Sequence, residues 1–416
     1  MNTNLTVNPF LQIAPSNEQD NAYWLVTPKP GSGLQNLLIC KPEQANLHEL
    51  FLNLSQIGFN YLDCENDLSD SERELLYQSG ILVEPENVPE RPLFACRLDD
   101  IEAGSFEGDL SEIIVNPTFR FEPFNIANFH SWIQEKNLSP HKPTGWLKIP
   151  VTDFEIGYWL EKDEADAISK FMPGEKLSFE IEPEFLSRLL ASGILTTPEI
   201  LVRDERKQQE RLEQAKIKYE QDKYVVLQGL LPAAQMKAMR RFYHQYVEQG
   251  FMPFGDPQVS RRYYQHKEPL AGFFHKNFCR LMSLIVGEEV IPSYVYAASY
   301  LENAVLRPHV DRKQCEFSIS FQVDYRPEPE HHLSPWGLFL TSSYGAAEGR
   351  LDYRSTEFPA KSESEDKNTA VYLASGDGVI YKGRELVHYR YPLSAGHQST
   401  SLFFHYVAKD FEGLLD

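Results

Sequence analysis

The sequence predicts an α+β protein, with two related small α/β modules in the N-terminal half and a small β barrel in the C-terminal half. Three observations predict it. An internal repeat runs through residues 1–202, and a charged, helix-forming stretch separates the halves. The C-terminal half then alternates apolar and polar residues in short runs broken by glycine turns.

At 416 residues the chain is long enough for two or three domains, and its 42% hydrophobic content supports packed cores. A formal net charge of −20 argues against broad nucleic-acid binding and against docking on an anionic membrane. No run approaches the roughly 20 apolar residues of a membrane span. Residues 1–6 lack the basic start and apolar core of a signal peptide. The five cysteines (Cys40, Cys64, Cys96, Cys279 and Cys315) are scattered, with no paired spacing. They read as reduced thiols of a cytoplasmic protein.

The repeat has three blocks in one order. Val7-Asn8-Pro9-Phe10 recurs as Val115-Asn116-Pro117-Thr118-Phe119, and Tyr23-Trp24-Leu25 as Tyr158-Trp159-Leu160. Glu74-Leu75-Leu76-Tyr77-Gln78-Ser79-Gly80-Ile81-Leu82 recurs as Ser187-Arg188-Leu189-Leu190-Ala191-Ser192-Gly193-Ile194-Leu195. Two modules follow, about 1–95 and 110–202. In each, an early β segment carries the Tyr-Trp-Leu block, helices follow, and a short β run ends the module. In the first, helices are expected over 46–57 and 69–79. Ser69 acts as cap, and Gly80 ends the second helix. The clustered acids Asp63, Glu65, Asp67, Asp70, Glu72 and Glu74 disfavour a nucleic-acid-binding face.

Residues 203–223 are charged and nearly free of helix breakers, which predicts a solvated linker helix. The last domain, about 224–416, starts with a strand at Lys223–Leu227 and a helix from Leu231 to about Gln249. The basic, aromatic run Arg261–Lys267 reads as a surface hairpin. The polar stretch Arg354–Asn368 reads as a loop between strands.

Within this domain, His309-Val310-Asp311 is followed 79 residues later by His388. Alternate residues of a strand share a face, so His309 and Asp311 can offer an imidazole and a carboxylate to one metal. Two histidines and one carboxylate suffice for the facial triad that holds Fe(II) with positions left open. The flanks read as strands. Tyr294 to Tyr300 precedes the pair, Phe317 to Val323 alternates after it, and a Gly376-Asp377-Gly378 turn feeds the strand before His388. Cys315, four residues after Asp311, reads as a packed strand thiol or as a neighbour of the metal.

On these residues, about 224–416 resembles the iron(II)- and 2-oxoglutarate-dependent dioxygenases, in the branch similar to prolyl hydroxylases. The resemblance implies a double-stranded β-helix (jelly roll) with packed helices and Fe(II) held by His309, Asp311 and His388. It also implies 2-oxoglutarate as cosubstrate, O₂ consumption and hydroxylation of an unactivated C–H. It places a basic residue about ten positions after the distal histidine to hold the cosubstrate's far carboxylate. Gln398 stands there instead, with Thr400 in the helping hydroxyl slot. An uncharged amide is a weaker carboxylate anchor than a bidentate guanidinium. Arg390, two residues past His388 and so on its face, is the favoured substitute, with Arg307 and His397 as rivals. Tyr300 is a further candidate donor. By the same resemblance, Arg261–Lys267 is read alternatively as a lid or substrate wall.

The N-terminal modules resemble winged-helix peptide-recognition modules of enzymes that modify ribosomally made peptides, where a peptide adds a strand to an exposed edge. That resemblance implies a peptide or protein substrate. The alternatives are a duplication that only packs on the catalytic domain or makes a homodimer, an enzyme of free amino acids or small metabolites, and a non-catalytic regulator that keeps the barrel.

Overall fold

The computed structural model describes every residue except 1–4, 17, 18, 20, 32, 105, 107, 124–141, 178, 179, 342–353, 359–367 and 416. The expected loop over 354–368 therefore lies mostly outside the described residues. The chain divides into two compact units, one of 1–92 with 243–264 and one of 93–242 with 265–416.

This grouping differs from the boundaries expected from the sequence. The segment 243–264 joins the first unit because Phe251 meets Phe10 edge-to-face at 5.0 Å and Gly31 N–H donates to Glu248 O at 3.0 Å. The second module shares its unit with the barrel. Phe154 packs on Phe278 at 4.7 Å between centroids, and Gln235 Nε2 donates to Gly157 O at 2.8 Å.

In the first unit, strands Gln12–Pro15, Ala22–Lys29 and Gly33–Cys40 form an antiparallel sheet in chain order. Helices Ala45–Ile57 and Asp70–Gln78 follow, and Leu82–Val83 pairs back onto Thr6–Val7. The second helix starts where expected, on a capping box of Ser69 with Glu72. Leu25, Ile39, Phe51, Leu76 and Leu82 are fully buried together.

The second module repeats this plan. Strands Arg120–Glu122, Thr144–Ile149 and Phe154–Trp159 form the sheet, helices Lys162–Ile168 and Pro183–Ser192 follow, and Leu195–Thr196 pairs back onto Ile114–Val115. The Asn-Pro blocks are equivalent in atomic detail. Asn8 Nδ2 donates to Gly80 O at 3.2 Å, and Asn116 Nδ2 donates to Gly193 O at 3.0 Å. Both asparagine backbone N–H groups donate to an isoleucine carbonyl, Ile81 O at 2.8 Å and Ile194 O at 2.9 Å.

The Tyr-Trp-Leu block is not equivalent. Tyr23 lies in the second strand of its sheet and Tyr158 in the third, so the counterpart of the strand carrying Trp24-Leu25 is Thr144–Ile149. A strand exposes the same period-2 pattern wherever it sits in a sheet, so this short match could not fix the strand.

The linker helix is longer than expected, Pro198–Asp222, capped by the Thr197 hydroxyl. It is not solvated all round, because Leu212, Ala215 and Tyr219 are buried on one side. Spacings of three and four place them on one stripe.

The barrel has eight described strands: Val290–Leu301, Leu306–His309, Phe317–Arg326, Leu338–Thr341, Asn368–Val371, Gly378–Lys382, Val387–Arg390 and Gln398–Ala408. The first, third, sixth and eighth are neighbours in one antiparallel sheet, in the order sixth, third, eighth, first. The second, fourth, fifth and seventh form the other, in the order second, seventh, fourth, fifth. Successive strands thus alternate between two sheets and reverse at the fourth–fifth pair, which is the double-stranded β-helix. Tyr224–Leu227 adds to the larger sheet beside the sixth strand. Helices Pro269–Asn277 and Cys279–Val286 cover one face, where Phe278 meets Phe404 at 5.4 Å. The other face looks into the barrel. In the third strand, Phe317, Ile319 and Phe321 share the helix-side parity, while Ser318, Ser320 and Gln322 point inward.

Candidate metal centre

His309 ends the second strand and is paired in register with His388 of the seventh. Asp311 follows two residues on, its N–H donating to Gly383 O at 2.8 Å. The three side chains converge. His388 Nε2 lies 3.4 Å and His309 Nε2 3.8 Å from Asp311 Oδ1, and the two imidazole centroids are 4.2 Å apart. Their donor atoms can share one ion.

Each imidazole is aimed by its own backbone. His309 Nδ1 is 2.7 Å from Arg307 O, and His388 Nδ1 is 3.0 Å from Leu386 O. A carbonyl only accepts, so Nδ1 carries the proton and Nε2 keeps its lone pair for a metal. Burial, then His388, pushes His309 down to about 3, so it is neutral at physiological pH. Burial alone would raise Asp311, yet His388, His405 and His309 around it hold it below the ordinary carboxylate range. Two nitrogens and one ionised oxygen form the donor set suited to Fe(II).

The lining is polar for a barrel interior. Arg390, two residues past His388, is buried, its guanidinium 4.7 Å over the Trp336 ring and one N–H donated to Trp336 O. Burial lowers its pKa to about 10, so it stays charged. Its other terminal nitrogen, Nη2, has no hydrogen-bond partner. Ser320 Oγ, Gln322 Oε1 and Ser401 Oγ are also buried and unpartnered, and all three belong to the inward face of the larger sheet. Buried polar atoms are nearly always satisfied, and this set offers donors and acceptors that a polar ligand in the barrel would satisfy.

The other expected cosubstrate contacts are placed differently. Gln398 is exposed at the start of the eighth strand, and Thr400 is turned to the helix-side face, where its hydroxyl lies 3.0 Å from Ser299 Oγ. Alternation along this strand puts Ser399, Ser401, Phe403 and His405 inward instead, so the sequence-based register is one residue out. Tyr300 is buried edge-on to Trp336 at 4.9 Å, the ring that Arg390 also covers, and it is close enough to Arg390 to favour its charged form. Arg307 is exposed and donates to Thr356 O, and His397 meets the Tyr325 hydroxyl at 2.9 Å.

Sequence reasoning missed Ser318, Ser320, Ser401, His405 and Trp336. A signal existed for the serines, since a strand whose apolar residues all fall on one parity must place its polar ones on the other.

No protein-family model matches the chain, and no curated protein is similar to it. Solved structures are similar over about half its length. HygX from Streptomyces hygroscopicus, with nickel, 2-oxoglutarate and hygromycin B bound, is 10% identical over 48% of this chain and 88% of its own, with a TM-score of 0.35. A Pseudomonas putida prolyl-4-hydroxylase is 13% identical over 48% and 99%, with a TM-score of 0.36. A Trichoplax adhaerens prolyl hydroxylase in complex with a hypoxia-inducible-factor peptide fragment is 9% identical over 48% and 91%, also at 0.36.

Proposed function

We propose that this chain is an Fe(II)- and 2-oxoglutarate-dependent oxygenase. One observation carries the reading: His309, Asp311 and His388 converge within a double-stranded β-helix beside a buried guanidinium with an unpartnered nitrogen. Iron with 2-oxoglutarate and O₂ would supply the oxidising power to attack an unactivated C–H. The chain's own residues do the rest. His309, Asp311 and His388 hold the metal on one side. Arg390 Nη2 receives the far carboxylate of 2-oxoglutarate, with the Ser320 and Ser401 hydroxyls as further donors. Trp336 keeps Arg390 in place, and the buried aromatic residues Tyr381 and Tyr300 exclude water.

The non-catalytic reading rested on Gln398 as a weak anchor. A buried Arg390 that needs a partner favours the enzyme. The substrate in this reading is a peptide or protein side chain held by the N-terminal modules, taken as winged-helix-like recognition units. Its support is a cavity of ≈650 Å³ in the first unit, lined by Pro28, Tyr77, Val88, Glu84, Glu86 and Glu90. Five free thiols fit a cytoplasmic setting, and among the described residues no helix is long and apolar enough to cross a membrane.

Anaerobic addition of Fe(II) and 2-oxoglutarate should give a visible charge-transfer absorption, lost in His309→Ala. On admitting O₂, succinate should form faster with peptide mixtures than with free amino acids. Absence of the band in the wild-type chain would overturn the reading. Equal stimulation by free amino acids would move the substrate to the small-molecule class.

A further inference from the structure

The second cluster around Asp311 has no part in the scheme so far. Asp311 Oδ1 faces both histidine nitrogens, at 3.4 and 3.8 Å. Its other oxygen, Oδ2, accepts from Ser318 Oγ at 3.1 Å. Ser318 Oγ is in turn 2.9 Å from His405 Nδ1. A hydroxyl that gives its proton to a carboxylate must accept from its other partner, so Nδ1 of His405 carries the proton. The chain of donors runs from His405 Nδ1–H to Ser318 Oγ–H to Asp311 Oδ2. Ser318 is fully buried and His405 nearly so, and they face each other in register on the third and eighth strands. The turn after the sixth strand closes the other side. A Cβ on Gly383 would lie 2.3 Å from Asp311 Oδ2, 2.7 Å from Cys315 O and 2.9 Å from Ser318 Oγ. The carboxylate is thus confined by backbone on one side and by a donor chain on the other.

Building on the metal reading above, we propose that Ser318 and His405 are positioning residues. They hold Oδ2 back so that Asp311 offers only Oδ1 to the metal. A carboxylate that offered both oxygens would take a coordination position needed for cosubstrate or O₂. Outer hydrogen bonds of this kind fix ligand orientation, and their loss costs about 10–100-fold in metal affinity. Cys315 and His405 also lie within ligand distance of Asp311, which raises a rival use of the same atoms as a second metal site. The hydrogen bonds argue for the positioning role, because Cys315 Sγ is engaged with the Tyr294 hydroxyl at 3.1 Å and His405 Nδ1 with Ser318.

The test is anaerobic Co(II) titration of the full chain, followed by its d–d absorption. The wild-type chain should bind one equivalent, and His309→Ala should abolish it. Ser318→Ala and His405→Phe should each weaken binding about 10–100-fold and change the d–d spectrum. His405→Asn, whose amide can donate from the place of Nδ1, should restore both. If Ser318→Ala does not fold, judged by circular dichroism, the His405 pair decides. Folded His405→Phe with wild-type affinity and spectrum overturns the proposal while the metal reading stands. Two equivalents of Co(II), with a thiolate charge-transfer band lost in Cys315→Ser, overturn it in favour of a second metal site. No binding by the wild-type chain overturns the metal reading itself.

Discussion

Arg390 joins local sequence to chemistry more directly than any other side chain here. Its position two residues past His388 put it on the metal-facing side before any fold was known. Its burial, its contact with Trp336 and its unpartnered Nη2 depend on strands distant in sequence. A hydrogen bond to a charged group contributes roughly 1.5–3 kcal/mol. Arg390→Gln should therefore weaken 2-oxoglutarate binding about 10–100-fold while metal affinity changes little, as calorimetric titration of the metal-loaded protein would show. Gln398 shows the converse. Its count from His388 matches the slot that the family resemblance implies, but the strand's parity was decided by pairing with the first and third strands, which leaves it exposed.

The elements were legible where local signals agreed. The helix over Asp70–Gln78 has its Ser69 cap, its acidic first turn and its glycine stop. The strand over Phe317–Arg326 has its alternation. The linker helix was legible as a helix but not as a buried one, since three apolar residues in a charged run carry little weight until something packs on them. The repeat was legible at its ends, where the Asn-Pro turn and the Gly-Ile-Leu run meet across a short strand pair in both modules. That latch is testable. Asn8 is fully buried and bridges two carbonyls, Pro28 O and Gly80 O, at 3.0 and 3.2 Å. Leaving those acceptors unmet costs about 1–3 kcal/mol. Asn8→Ala and Asn116→Ala should each lower stability by about that amount in denaturant unfolding, with Asn116→Ala the milder because Asn116 is only part-buried.

Over the whole molecule, burial makes histidine protonation a stability term. His275 lies between the helices and the larger sheet, its Nε2 2.7 Å from His405 O, and burial pushes its pKa down to about 3. An unfolded histidine titrates near 6.5. Above that pH it is neutral in both states and contributes no pH dependence. Between about 6.5 and 3 only the unfolded chain takes the proton, so stability falls as pH falls. His275→Gln keeps an amide donor for His405 O and removes the titration. The unfolding free energy of the variant should depend less steeply on pH between 4 and 6, by up to about 1.4 kcal/mol per pH unit. An unchanged slope would mean that His275 is not buried neutral.

The amino-acid order alone was enough for the kinds of element, for the duplication and for singling out His309, Asp311 and His388, which the fold brings together. Each of these rests on spacings of a few residues, and backbone geometry turns such spacings directly into faces and turns. Three things came only from the packed chain. Gln398 proved exposed and Thr400 turned to the helix side, while unpartnered Ser320 and Ser401 joined the already favoured Arg390 among the buried polar groups of the barrel. Ser318 and His405 appeared behind Asp311. The second module shared a unit with the barrel, while 243–264 returned to the first. The physical reason is common to all three. Strand parity and the partner of a buried polar atom are set by pairing between segments that can lie many tens of residues apart, and no local spacing carries that register.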